Sequence, residues 1–203
     1  MTAGTQPGTR SRIVAAAVAL FAEQGYDATS VNQVVARAGV AKGALYHHFE
    51  SKDDLLYEVY RELVERQLAG LTEILAARNP PPQALRAIIG DMVATTAARA
   101  AEAKVFFRES HRLTDANQQR VRAARRQIHD AVTELVRQAQ QQGDFAAVAS
   151  PEMVTFTVFG VINELPVWYS PDGPKTPQQL ATELADLVLS GLAGSAPMPR
   201  GIA

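Results

Sequence analysis

In these 203 residues the histidines, glycines and serines show no spacing suited to holding a metal or activating a nucleophile. There are no cysteines, which excludes disulfides and thiolate metal sites. The four histidines, His47, His48, His111 and His129, include no pair at metal-ligand spacing on one helix face. No glycine-rich phosphate loop and no serine elbow occur. A helical cofactor enzyme is a rival reading that no residue supports. The stretch with functional spacing is TSVNQVVARAGVAKGALYHHF, Thr29 to Phe49. Ser30 and Gln33 stand as a capping box that opens a helix. Val31, Val34, Val35 and Ala38 give that helix an apolar face, and Gly39 follows where a left-handed backbone is needed. Val40 is the apolar residue of the turn. A second helix, Ala41 to His48, then leaves Lys42, Gly43, Tyr46 and His47 off the Ala44, Leu45, His48 and Phe49 face. This is the outline of a helix-turn-helix that reads DNA.

The elements that must position it are all helical. Ala, Leu and Val dominate a chain that is 47% apolar and 6% aromatic, and no alternating β-branched run suggests a strand. The sequence predicts an all-α fold of about nine helices. An amphipathic helix over 12–24 precedes the motif, which spans about 31–50. Ser51 caps a long helix whose first turn holds Asp53 and Asp54, where the helix dipole favours carboxylates. Prolines 80–82 mark a break, followed by helices over about 83–99 and 101–111. Thr114 caps a long helix that Gly143 ends. Ser150-Pro151 starts another, running to Trp168, and the Thr176–Gln179 capping box opens the last. Residues 1–8 read as a disordered arm without a signal core. The most apolar stretch, Met153–Trp168, is too short to span a bilayer, so the expected location is cytoplasmic and no membrane is a partner. Charge alone does not point to DNA: residues 9–69 hold seven Lys and Arg against eight Asp and Glu.

ALFAEQGYDATSV (19–31) and VVARAGVAKGALYHHFESKDDLL (34–56) resemble the TetR/AcrR family of bacterial transcriptional repressors. The resemblance implies a DNA-binding domain over 9–69 and an effector-binding and dimerisation domain over 70–203. It implies a homodimer whose two reading helices enter successive major grooves of a palindromic operator. A small, largely apolar effector in the second domain would release the DNA, with no cofactor and no metal. A family member that activates, or that works through a protein partner, is the alternative. The family pattern assigns DNA contacts to Thr29, Arg37, Lys42, Gly43, Ala44, Tyr46, His47, His48 and Lys52. Tyr46 and His48 suit phosphate, Lys42 suits guanine or phosphate, and Gly43 lets the backbone approach. Lys52, with Arg10 and Arg12 upstream, offers further cations to phosphate. Two residues depart from the pattern: Ala41 and Ala44 stand where a hydroxyl is common, and Ala41 leaves the reading helix without its usual cap.

The second domain is expected to dimerise through its last two helices, with Val154, Val158, Val161, Ile162, Leu165, Leu184 and Val188 as candidate interface residues. Met153–Trp168 is apolar nearly all round, so it calls for burial on more than one side. Candidate effector contacts are Met92, Phe106, Phe107, His111, Phe156, Phe159, Asn163, Glu164, Trp168 and Tyr169, of which most fit a plain core role. Asn163 and Glu164 are the informative pair, because polar groups in an apolar helix need partners. NELPVWYSPDG (163–173) also resembles an acyl-CoA-responsive branch of the family. A CoA phosphate would then need Arg108, Arg112, Arg122, Arg125 or Arg126, although Arg122, Arg125, Arg126 and His129 read more simply as a solvated helix face.

Overall fold

Caps and glycines set the boundaries of the helices in the computed structural model, which describes residues 8–194. Among these are nine α-helices and one 3-10 turn. They are α1 (Thr9–Gln24), α2 (Val31–Ala38), α3 (Lys42–His48), α4 (Lys52–Ala76), α5 (Pro81–Ala98), α6 (Ala100–Glu109), the 3-10 turn Ser110–Arg112, α7 (Asp115–Gln142), α8 (Pro151–Trp168) and α9 (Pro177–Leu192). The expected arm lies outside the described residues except for Gly8, the N-cap of α1. That helix begins at Thr9, three residues before the expected start, and α5 begins at Pro81 instead of about 83. Prolines 81 and 82 fit its first turn because the missing N–H groups there have no helical acceptor anyway.

Two compact units emerge. Among the described residues, one contains 8–65 and 99–124, the other 66–98 and 125–194. The expected cut is at residue 69; α6 and the start of α7 group with the N-terminal helices. In that unit α6 packs on α1, and Phe106 stacks on Tyr60 with ring centroids 3.7 Å apart. Its core is Ile13, Ala17, Phe21, Val34, Leu45, Leu55 and Leu56, each fully shielded from solvent.

In the second unit α5 lies against both α8 and α9, burying Leu85, Ile88, Ile89 and Met92 with Val158, Ile162 and Leu165. Gly70 of α4 leaves room for the Asp91 carboxylate, since a Cβ there would fall 2.5 Å from Oδ2. This oxygen accepts no hydrogen bond. Burial, then the charge of Glu73, push the Asp91 carboxyl above its usual range, against a smaller pull from Arg66. A carboxyl raised in the folded state destabilises the fold once pH exceeds its unfolded value, and the penalty grows up to the folded value. Asp91→Asn is expected to add on the order of 1 kcal/mol at pH 7. Urea unfolding should show the gain shrinking toward pH 3.

Candidate nucleic-acid interface

The α2–turn–α3 unit is built as its sequence requires. Ser30 Oγ accepts from the Gln33 N–H at 3.2 Å, and the Ser30 N–H donates to Gln33 Oε1 at 2.7 Å. Gly39 turns the chain with φ +64°, and its N–H returns to the last carbonyls of α2. α3 follows, held by Leu45 and Phe49, both buried. Its N-cap is Ala41, which supplies no side-chain hydrogen bond, as the sequence requires.

Most polar side chains around this unit are consumed by it. Arg12 donates from Nε and Nη2 to Ala38 O at 3.1 and 2.6 Å, and from Nη2 to Gly39 O at 2.7 Å. Its cation closes the C-terminus of α2 where the dipole favours it, and so clamps the turn. Arg10 pairs with Glu58 and Glu62. Burial raises the Glu58 carboxyl, but hydrogen bonds from Arg61 and Arg10 outweigh it and leave the group below its usual range. Arg37 spends its fork on Glu23 at 2.6 and 2.7 Å.

Two of the assigned DNA contacts have partners inside the protein. Thr29 is 1% exposed and its hydroxyl donates to Gly25 O at 2.8 Å. Lys52 Nζ donates to Tyr26 O at 2.9 Å and Thr29 O at 3.0 Å, and lies 4.0 Å from the centre of the Tyr26 ring. It ties the α1–α2 loop to α4. Burial, then Asp53, Asp27 and Asp54, push the Tyr26 phenol up to about 12, so the ring stays neutral.

What remains uncommitted is the exposed surface of α3. Lys42, Gly43, Tyr46, His47 and His48 are exposed and Ala44 is half-buried. Tyr46 is 49% exposed, and neither it nor Lys42 has a polar partner among the described residues. The imidazoles of His47 and His48 meet edge to face at 5.2 Å. Sequence reading missed the other end of the unit. Asp53 accepts from the Thr114 N–H, the Thr114 hydroxyl and the Asn117 amide at 2.9, 3.0 and 2.6 Å, tying the start of α4 to the start of α7.

Residues 13–59 match the family described as bacterial regulatory proteins, tetR family, and residues 78–192 match the tetracyclin repressor-like C-terminal domain. The chain belongs to the TetR family. It is therefore a DNA-binding transcriptional regulator of the repressor type and not an enzyme. The transcriptional repressor KstR2 of Mycolicibacterium smegmatis is 25% identical over 197 residues, 94% of either chain. The TetR-family regulator PfmR of Thermus thermophilus superposes with a TM-score of 0.82 at 29% identity, covering 89% of this chain and 98% of its own. AibR, crystallised with isovaleryl coenzyme A and operator DNA, shares the fold with a TM-score of 0.77 at 24% identity, over 89% of this chain and 97% of its own.

Of the effector candidates of this TetR-family chain, Phe106, Phe107 and His111 belong to the N-terminal unit and the others to the second. Met92 and Phe159 are core, Phe106 is stacked on Tyr60, and Phe107 and His111 are exposed in the N-terminal unit. Asn163, Glu164 and Trp168 face outward on α8, and Tyr169 is half-buried just past its end. Phe156 is 61% exposed beside His129, whose ring stacks on Phe159 at 4.5 Å. Burial, then Arg125, lower the imidazole's basicity. His129, Thr133, Arg137, Glu152, Thr155 and Phe156 line a groove of about 410 Å³. The interface candidates also change. Val154, Val158, Ile162, Leu165 and Leu184 belong to the core of the unit, and Val188 is half-buried. Of the named set only Val161 is exposed; on α8 and α9 the other outward large apolar residues are Met153, Phe156, Val167, Trp168 and Leu187. α8 is buried on one side only.

Proposed function

We propose that the chain represses transcription as a homodimer on a palindromic operator and releases it when a small, largely apolar effector binds the second unit. An acyl-CoA thioester is the effector class to test first. The carrying observation is the contrast on the N-terminal unit: Arg10, Arg12, Arg37 and Lys52 are committed within the protein, while Lys42 and Tyr46 extend from α3 unpaired. Donors with no internal partner on a short exposed helix suit phosphate oxygens and base edges. Two such helices on a two-fold axis fit half-sites about 34–36 Å apart. The exposed apolar residues of α8 and α9 supply a surface for pairing. The effector class is supported by AibR, whose crystals hold isovaleryl coenzyme A with operator DNA, and by NELPVWYSPDG at 163–173.

Footprinting on the DNA flanking the chain's own gene, with and without a panel of CoA thioesters, tests the whole reading. Protection of a palindrome that at least one thioester lifts is the expected result. No protected palindrome there or in a genomic pull-down would refute the operator reading. Protection that no thioester disturbs would refute only the effector class. Tyr46→Ala is expected to weaken the footprint about tenfold per half-site, from one lost hydrogen bond to charged phosphate. Light scattering should show its dimer intact.

A further inference from the structure

Gly160 stands mid-way along α8 in ordinary helical backbone, and a Cβ there would meet nothing within 4 Å. Glycine inside a helix costs about 1 kcal/mol relative to alanine, so the single protomer gains nothing from it. Its neighbours indicate what does. Met153 and Val167 lie seven residues to either side, 56% and 59% exposed, and two helical turns place all three on one stripe. We propose that Gly160 is the point where the α8 helices of two copies cross, antiparallel, on the molecular two-fold axis.

The proposal rests on the homodimer reading and goes beyond it by fixing axis and register. About a two-fold axis through Gly160, the residue n places after it faces the one n places before it in the other copy. Val167 then meets Met153, and the Asn163 amide meets the Thr157 hydroxyl; all four side chains are exposed in the protomer. Glu164 faces Phe156, past whose ring its carboxylate reaches solvent. Registers centred on Val161 or Glu164 fit worse. An axis at Val161 would set exposed Thr157 against Leu165, which is 2% exposed. An axis at Glu164 would bring two carboxylates face to face, at a cost that burial increases. At Gly160 the missing side chain lets the backbones approach, with Met153 and Val167 packing on both flanks.

The chain has no cysteine, so any thiol introduced is the only one. Under mild oxidation Gly160→Cys should form a disulfide-linked dimer. Met153→Cys and Val167→Cys should each remain uncrosslinked alone but link when combined in one chain, because a disulfide needs Cα atoms about 4.4–6.8 Å apart. Gly160→Leu should keep the helical signal of the wild type while raising the dimer dissociation constant about a hundredfold. A wild-type dimer with no crosslink at 160 or in the combined variant would overturn the crossing and leave the dimer standing. So would a Gly160→Leu dimer as tight as wild type. A wild-type monomer at working concentrations would overturn both.

Discussion

Lys52→Met is expected to destabilise the N-terminal unit by about 3 kcal/mol, since two partly buried hydrogen bonds from a cation are lost together. In a chain of this size that lowers the melting temperature by about 6–12 °C. The ammonium has three donors: two reach Tyr26 O and Thr29 O, and the Tyr26 ring lies beneath the group. Methionine retains the stem and removes every donor. The Tyr26 and Thr29 carbonyls then lose their cation, and the loop before the capping box loses its tie to α4. Operator affinity should fall because the reading helix is no longer held in place. Thermal melting in the absence of DNA decides the point. A variant that melts with the wild type but loses the operator would restore Lys52 to the phosphate contacts.

Gly43→Leu should give the opposite signature, with the fold retained and the operator lost. A Cβ at 43 meets nothing within 4 Å and the backbone is ordinary helix, so the protein has room for the side chain. Replacing glycine in a helix should even add up to about 1 kcal/mol. On DNA the same side chain would stand where the helix backbone must lie close to a phosphate or base edge. Two copies act on one operator, so a loss of at least about a hundredfold is expected, or roughly 1.4 kcal/mol for each half-site. Fluorescence anisotropy with the footprinted palindrome, beside a melting curve, measures both. Unchanged affinity would move the DNA off this face of α3.

Local grammar made much of this fold legible. The Ser30–Gln33 and Thr176–Gln179 capping boxes, the left-handed Gly39 and the Ser150-Pro151 start all appear where short-range spacing placed them. The uncommitted surface of α3 was legible for the same reason, as every residue on it lies within one helix. What escaped were ties across the chain. Arg12 finds its carbonyls 26 residues away, Lys52 finds Tyr26 and Thr29, and Asp53 finds Thr114 and Asn117 more than 60 residues on. Each charged group reads locally as a phosphate ligand or a dipole acid, and only the packing shows it occupied. The case of α8 is different. Apolar composition showed that the helix needed cover, but could not show which residues the protomer covers itself. Val158, Ile162 and Leu165 went to the inner side and Met153, Val167 and Trp168 to the outer.

The joining of α6 and the start of α7 to the N-terminal helices bears on how such a regulator can be rewired. Exchanging operator-reading heads between relatives invites a cut near residue 69, after the contiguous stretch. That cut would separate Tyr60 from Phe106, Asp27 from Arg112, and Asp53 from Thr114 and Asn117. A transplanted head would bring half of each pair and meet a foreign half. The exchangeable module in this protein is discontinuous: residues up to 65 together with 99–124. A working chimera has to carry both pieces or re-match those four seams.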